Sequence, residues 1–324
     1  MRLLILLTIS ALASAEDPVA ALKSVQLPFD PAYSYLPALL KTLHIPVESQ
    51  LAVFSKTSIQ SLRIEPSNPR VLYFNDSVIV GWVRGGFIEI AAQDPAHGIQ
   101  FYVLQQRPDE HPVHRDDCLN CHKSGNTLLR SVIPTPDGIP SREAGQPWGG
   151  WFVTGAVLPS VHLGNTVFAN SEKLELTPAL HSDVVALLVF AHQMRMMNLL
   201  AHPDNVDDLV DHLLFLDETP LTSPIQGDSG FTEIFESAGP RDRRGRSLRQ
   251  FDLEHRLMRY PCSYMIYSDA FNSLPSKTKD AIYRRVWTLL STRAGGQTVI
   301  EILRDTKPDL PAWFGRIELT HLPR

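Results

Sequence analysis

Cysteine, clustered basic residues and long apolar runs are all scarce in this chain of 324 residues. Three cysteines are too few for the disulfide scaffold that holds many small exported proteins together. The net charge is −5, and the sequence has no basic tail of the kind that nucleic-acid-binding proteins use. With 44% hydrophobic and 20% charged residues, the composition is that of an ordinary soluble globular protein. These features exclude a disulfide-held miniprotein and argue against nucleic acid as a partner.

The N-terminal segment has the pattern of a secretory signal. Arg2 supplies a positive charge, an apolar run follows at residues 3–9, and residues 13–15 (Ala-Ser-Ala) give the small-x-small motif of a signal-peptidase site. The run is too short to span a bilayer, and a retained N-terminal anchor is the alternative interpretation. We therefore expect residues 1–15 to be removed, which leaves a periplasmic or secreted chain without a transmembrane segment.

Residues 50–106 predict an antiparallel sheet. Short segments rich in β-branched and aromatic residues alternate there with turn-forming sequences such as Asn75-Asp76. Closely spaced turns predict hairpins. The predicted strands are LAVF (51–54), VLYF (71–74), SVIVGWV (77–83), FIEIAA (87–92) and IQFYVLQQ (99–106).

After the predicted sheet the chain has an irregular block and then a helical region. Residues 107–180 are rich in Pro, Gly, His and Asn, and irregular blocks of this kind are often organised around something other than their own core. From His181 onwards apolar residues recur at helical spacing, with Ser182 or Asp183 as the expected N-cap of the first helix. We predict helices in 181–202, 205–218, 251–260, 276–291 and 295–306.

The irregular block contains the CLNCH motif, Cys118 to His122. C-x-x-C-H is the spacing by which two thiols add to the vinyl groups of haem while the adjacent histidine binds the iron. Attachment also requires export to the compartment where such cytochromes mature, and the predicted signal provides for it. We therefore predict one covalent haem c, with thioethers at Cys118 and Cys121 and with His122 as the proximal ligand of the iron.

Two other chemistries remain open for the motif. His114, Cys118, Cys121 and His122 together offer enough nitrogen and sulfur ligands for a tetrahedral zinc site. Against zinc, the adjacent Cys121 and His122 would strain a common tetrahedron. A thioredoxin-like redox pair fits less well, because the sequence KSGN at 123–126 opposes the helix that such a pair needs.

The second axial ligand of the iron decides what a haem site does. The candidate histidines are His111, His114, His162, His181 and His192. His162, in the sequence SVHLGN of the irregular block, is the leading distal candidate. His192 lies within a predicted helix, where a core histidine is expected. The methionines in 194–197 lie on the same apolar helix, where core packing is their expected role.

Together these patterns predict an α+β fold with an N-terminal antiparallel β-rich part, an irregular haem-binding middle block and a C-terminal helical part. The expected units are residues 16–180 and residues 181–324, and one continuous domain is the alternative. Strands before the motif are incompatible with the compact all-α cytochrome c fold, which places the motif between helices.

The chain resembles a family of uncharacterised exported bacterial proteins that contain a cytochrome c domain. The resemblance rests on FSKTSIQSLRIEPSNPRVLYFNDSVIVGWV, CLNCH, WGGWFVTG with HLGN, HSDVVALLVFAHQMRMMN and RYPCSYMIYSDAF, and so covers most of the mature chain. It implies one covalent haem held by Cys118, Cys121 and His122. It also implies a histidine at the position of His162. Beyond haem binding and electron transfer, the resemblance implies no particular reaction.

The main functional hypothesis is a periplasmic monohaem c-type cytochrome that exchanges electrons with a redox partner protein or a small-molecule donor or acceptor. A haem enzyme of peroxidase or oxidase type, with an open or displaceable axial position, is the alternative, because an electron shuttle needs only about 100 residues. A haem sensor or structural haem protein is the third hypothesis.

Overall fold

The computed structural model describes residues 17–54, 58–122, 151–155, 166–167, 174, 177–218, 220–221 and 223–314. The predicted signal sequence and His162 lie outside the described residues. Most of the irregular middle block also lies outside them. The described neighbours of the CLNCH motif are therefore residues of the sheet and of the helices.

The predicted hairpins form a six-stranded antiparallel sheet in which the strand order follows the chain order. The strands are β1 (Leu51–Val53), β2 (Arg70–Phe74), β3 (Val78–Trp82), β4 (Phe87–Asp94), β5 (Gly98–Gln105) and β6 (Val113–His114). The five predicted strands are confirmed, and β6 is an additional short strand at the edge. The register places Ala91 opposite Phe101 and Tyr102 opposite His114.

Both faces of this sheet are buried, because successive side chains of a strand point to opposite sides. In β5, Phe101 packs into a core shared with the C-terminal helices, whereas Tyr102 packs into a second core on the other face. In β2, Phe74 and Tyr73 divide between the two cores in the same way. Burial on both sides explains why these strands are almost continuously apolar rather than strictly alternating.

The second core is closed by an N-terminal helical layer that the sequence patterns do not predict. A 3-10 helix, Ala20–Ser24, and helix α1, Leu36–Thr42, supply buried side chains such as that of Leu36. A proline lies in the first turn of α1, where its missing N–H group costs no hydrogen bond. The segment predicted as β-rich, residues 16–180, therefore begins with helices that cover the sheet.

The first core is closed mainly by helices that follow residue 181. The helices after α1 in the described residues are α2 (Leu119–His122), α3 (Val184–Ala201), α4 (Val206–Leu213), α5 (Phe231–Ser237), α6 (Asp269–Asn272), α7 (Ser276–Thr292) and α8 (Gly296–Thr306). The predictions that correspond to α3, α4, α7 and α8 are confirmed. The architecture is therefore α+β, with an antiparallel sheet followed by helices.

A short segment of the middle block returns to the sheet. Trp151 forms an antiparallel bridge with Val53 of β1. Immediately after it, β7 (Phe152–Val153) pairs in parallel with β8 (Thr166–Val167). This segment therefore links the edge strand β1 to the start of the helical layer.

The predicted helix over residues 251–260 is wrong. The segment folds back on itself, with an antiparallel bridge between Phe251 and Met258. The carboxylate of Asp252 accepts two backbone N–H groups within the segment, and Leu253 has a φ of 60°. A side chain that satisfies nearby backbone donors competes with a helix, and a residue with positive φ interrupts one.

Helix α3 is the central helix of the first core. By length and composition it could cross a membrane, with a mean hydropathy of 1.5 over 18 residues. However, 67% of these residues are buried inside the protein. Met194, Met196 and Met197 are among them, which confirms the core role predicted for the methionines.

One buried carboxylate holds the N-terminus of α3. Asp183 is fully buried, and its Oδ1 accepts the backbone N–H groups of Val185 and Ala186 at 2.7 and 3.1 Å. Its Oδ2 accepts the backbone N–H groups of Asp228 and Ser229 at 2.8 and 3.0 Å. Asp183 is therefore the N-cap, as predicted, and it also ties α3 to the loop that precedes α5.

We expect Asp183→Asn to lower the free energy of unfolding by about 3 kcal/mol or more, because an amide nitrogen cannot accept these bonds and leaves buried N–H groups unpaired. Urea unfolding followed by circular dichroism measures the change. Asp204→Asn, at an exposed turn position after α3, is the matched control and should shift the free energy by less than about 0.5 kcal/mol. Equally small effects of both substitutions would contradict this role of Asp183.

Candidate functional site

The CLNCH motif lies in one helical turn that follows the edge strand of the sheet. After β6, a 3-10 helix, Asp116–Cys118, continues directly into α2. In a helix, positions i, i+3 and i+4 fall on one face, and this is the spacing of residues 118, 121 and 122. The side chain of Cys121 lies outside the described residues, whereas those of Cys118 and His122 are half-buried.

The motif packs on the side of the sheet that faces the helices. The ring centroids of His122 and Phe101 are 4.7 Å apart, with an interplanar angle of 32°. Cys118 and Leu119 pack against the core that the sheet shares with α3 and its neighbours. Phe101 therefore supports one face of the imidazole, and the first cysteine of the motif borders an apolar core.

The surroundings of Cys118 favour a neutral thiol. Burial raises the pKa of the Cys118 thiol, and the negative charges of Asp117 and Glu89 raise it further. The Arg115 guanidinium opposes this shift, but it is paired with Asp117, with Nε and Oδ1 2.7 Å apart. A redox dithiol reacts through its thiolate, so the raised pKa of Cys118 argues against thiol redox chemistry. A thioether is uncharged, and burial is compatible with it.

An ion pair that the sequence does not reveal lies on the same sheet face as Phe101. Arg70 of β2 and Glu89 of β4 are 2.8 Å apart between Nη1 and Oε2. The pair reaches across β3 at Gly81, where a side chain would meet the Glu89 carboxylate at 3.4 Å. Ser58 donates a hydrogen bond to the other oxygen of Glu89 at 2.7 Å. The Nε of Arg70 is buried and has no hydrogen-bond partner in the described part of the chain, which leaves a donor for an anionic group.

His114 is separated from His122, another of the four possible zinc ligands. Its ring packs edge-on against that of Tyr102 at 5.2 Å, and its Nε2 lies 2.9 Å from Oε1 of Gln100. Tyr102 and Gln100 point to the face of the sheet opposite to Phe101, so His114 and His122 lie on opposite faces. Among the described residues, no group of three or more His, Cys, Asp or Glu side chains could hold a metal ion.

The remaining distal candidates lie in different environments. His162 is outside the described residues, and its role stays a prediction. His111 is exposed in the segment before β6. His181 is half-buried just before α3, with its Nε2 3.3 Å from the carbonyl oxygen of Val47.

His192 is a core histidine, as its position within a helix predicts. Its Nε2 lies 2.7 Å from Oγ of Ser263, and its ring stacks on that of Phe215 with centroids 4.4 Å apart. The ring of His212 lies 4.5 Å away, and Asp217 in turn holds Nδ1 of His212 at 3.1 Å. Burial, followed by the charges of His212 and a nearby arginine, lowers the pKa of His192 well below its ordinary value of 6.5. His192 is therefore neutral at pH 7 and belongs to the packing of the helices.

The candidate site thus consists of the CLNCH turn, the supporting ring of Phe101 and the Arg70–Glu89 pair. Comparison with known proteins found no matching family model, no similar curated protein and no similar solved structure. The chemistry of the site is therefore inferred from its own residues. No sequence motif marks these three residues. The fold of the sheet brings Phe101 against His122 and Glu89 near enough to Cys118 to raise its pKa, and Arg70 pairs with Glu89.

His192 should make the folded protein sensitive to acid. The unfolded chain protonates this histidine below its ordinary pKa of 6.5, whereas its lowered pKa keeps it neutral in the folded state. The unfolded state then binds more protons, so the free energy of unfolding should fall below pH 6.5 by up to about 1.4 kcal/mol per pH unit. Urea titrations at several pH values measure this slope.

We expect His192→Gln to remove this contribution, because the glutamine does not titrate. His255→Gln, at a side chain that is 82% exposed, is the control and should keep the wild-type slope. A slope that persists in His192→Gln would show that another group causes the loss of stability in acid.

Proposed function

We propose that the protein is an exported monohaem c-type cytochrome, with haem c attached covalently at Cys118 and Cys121 and with His122 as the proximal iron ligand. The observation that carries the proposal is the helical turn of the CLNCH motif, which sets positions 118, 121 and 122 on one face. Covalent attachment through C-x-x-C-H needs two sulfur atoms and one imidazole directed to the same macrocycle. The resemblance to exported proteins with a cytochrome c domain supports the same assignment.

The described surroundings of the motif fit such a group. The half-buried Cys118 is neutral as a thiol, and a thioether at the same place is neutral as well. Phe101 and the adjoining core exclude water from one side of the His122 imidazole. Arg70 retains a buried donor that suits a carboxylate such as a haem propionate. When bound, the haem supplies an iron centre that accepts and returns one electron.

Electron exchange with a redox partner protein or a small-molecule donor or acceptor is the role that we propose. A second protein ligand on the iron would favour electron transfer over catalysis. His114, His181 and His192 are each engaged by other protein groups. His111 is too close to the motif along the chain to reach the opposite face of the haem easily. Of the histidines considered from the sequence, His162 therefore stays the leading distal candidate.

A haem enzyme of peroxidase or oxidase type is the second candidate function. A sheet covered on both faces by helical layers is far more structure than the single domain of about 100 residues that carries an electron-transfer haem. Such an enzyme would keep one axial position open or displaceable. The identity of the iron's second ligand would therefore distinguish electron transfer from catalysis.

We expect the exported protein to carry one haem on the tryptic peptide that contains Cys118 and Cys121, and to retain it after denaturation. Cys118→Ala and Cys121→Ala should each lower the yield of haem-bearing protein, and the double variant should lose covalent haem altogether. Mass spectrometry of the denatured chain measures this. Cys262→Ala, at a fully buried position in the helical core, is the control and should keep its haem. A haem-free wild-type peptide from a host that matures c-type cytochromes would contradict the proposal.

The iron's second ligand is tested by His162→Ala. If His162 ligates, the variant should change from a low-spin to a high-spin absorption spectrum and should bind carbon monoxide when reduced, whereas the wild type should not. His192→Gln is the matched control and should keep the wild-type spectrum. A low-spin spectrum in His162→Ala would exclude His162 as the ligand, and carbon monoxide binding by the wild type would favour the haem enzyme.

A further inference from the structure

A cavity lies where the N-terminal layer, the sheet and the helices meet. Its volume is about 500 Å³, which is in the usual range for small-molecule sites. The end of α1, the turn between β2 and β3, and helix α5 all line it, and no residue of the CLNCH motif does. The cavity is therefore distinct from the proposed haem site.

Most of the cavity lining is apolar, and much of it is aromatic. Phe74 of β2 and Phe231 of α5 have ring centroids 5.6 Å apart, and Phe235 follows at 5.5 Å from Phe231. Ile234, also in the lining, is 39% exposed. Three rings in series form an apolar wall that suits the aromatic or aliphatic body of a ligand.

One buried guanidinium completes the lining. The side chain of Arg249 is only 9% exposed, and its guanidinium carbon lies 4.7 Å from the Phe235 ring centroid and 4.4 Å from that of Tyr264. Gly239 makes room for it, because a Cβ there would lie 2.9 Å from Nε of Arg249. Two aromatic contacts and a close backbone fix the position of this cation before any ligand binds.

The hydrogen-bonding capacity of this cation is only partly used. Arg249 donates to the carboxylate of Asp76 through Nη2, and its Nε is buried without a hydrogen-bond partner in the part of the chain that the structure describes. The lining holds two fixed positive charges, Lys41 and Arg249, against one negative charge, Asp76. A cavity of this charge favours a monoanion over a neutral molecule.

We propose that this cavity binds an amphipathic monocarboxylate, with its apolar body on the phenylalanine wall and its carboxylate on Arg249. A guanidinium pairs with a carboxylate through charge-assisted hydrogen bonds. In the free protein the carboxylate of Asp76 accepts a hydrogen bond from the Arg249 guanidinium. It therefore competes with the ligand carboxylate for this cation. The proposal is independent of haem binding, because the cavity and the CLNCH turn share no lining residue.

The experiment compares 1-naphthaleneacetic acid with 1-naphthaleneacetamide, which has the same shape but no charge. Isothermal titration calorimetry of each probe is done on the mature full-length protein. The acid should bind with a Kd of about 1 mM or tighter. It should bind about tenfold more tightly than the amide, because only a carboxylate makes charge-assisted bonds to Arg249. No binding of the acid, or equal binding of the two probes, would overturn the proposal.

Asp76→Asn tests the competition for the guanidinium. Asp76 is 47% exposed, and circular dichroism verifies that the variant is folded. The acid should then bind about tenfold more tightly than to the wild type, since a competing carboxylate has been removed, and the amide should bind as before. An unchanged or weaker affinity for the acid would overturn the pairing with Arg249.

Ile234→Glu tests whether the probe occupies this cavity, and Ile234→Gln is the neutral match. The acid should bind about tenfold more weakly to Ile234→Glu than to Ile234→Gln because of charge repulsion at short range, whereas the amide should bind both equally. Leu62→Glu adds the same charge at a position that is 99% exposed and outside the cavity, and should leave both affinities unchanged. Equal binding of the acid to the two Ile234 variants would place it elsewhere and overturn the proposal.

Discussion

The burial of both faces of one antiparallel sheet is the constraint on which the rest of the structure depends. Each strand supplies alternate side chains to two cores, so both the N-terminal layer and the C-terminal helices are needed to cover it. Loss of either layer would expose a row of large apolar side chains, such as Tyr73 on one face or Phe74 on the other. The Asp183 carboxylate then sets where the central helix begins over the first core.

The same alternation positions the candidate site. Phe101 points towards the helices and supports the ring of His122, whereas the next residue, Tyr102, points to the other face and contacts His114. Two histidines that are close in the sequence are thereby separated by the sheet. The CLNCH turn presents one imidazole and a half-buried neutral thiol at Cys118. This combination argues against thiol redox chemistry and is compatible with the covalent haem that we propose.

Features that depend on neighbouring residues are predictable from the sequence, and features that depend on distant contacts are not. Apolar periodicity reveals the strands and the long helices, and a capping residue reveals the start of α3 at Asp183. The helix predicted for 251–260 is wrong because a turn-forming carboxylate outweighs that periodicity. The Arg70–Glu89 pair and the cavity around Arg249 join residues far apart in the chain. No local spacing rule reveals them, and only the folded sheet brings them together.

The absorption spectrum of the mature, exported protein in alkaline pyridine after reduction tests the central claim most directly. When both vinyl groups of haem have reacted with cysteine thiols, the reduced pyridine complex has the bands of haem c rather than those of haem b. We predict a haem c spectrum, one haem per chain, and no loss of haem on extraction with acidified acetone. A protein without haem, or one whose haem is extracted and shows the bands of haem b, would contradict covalent attachment at the CLNCH turn.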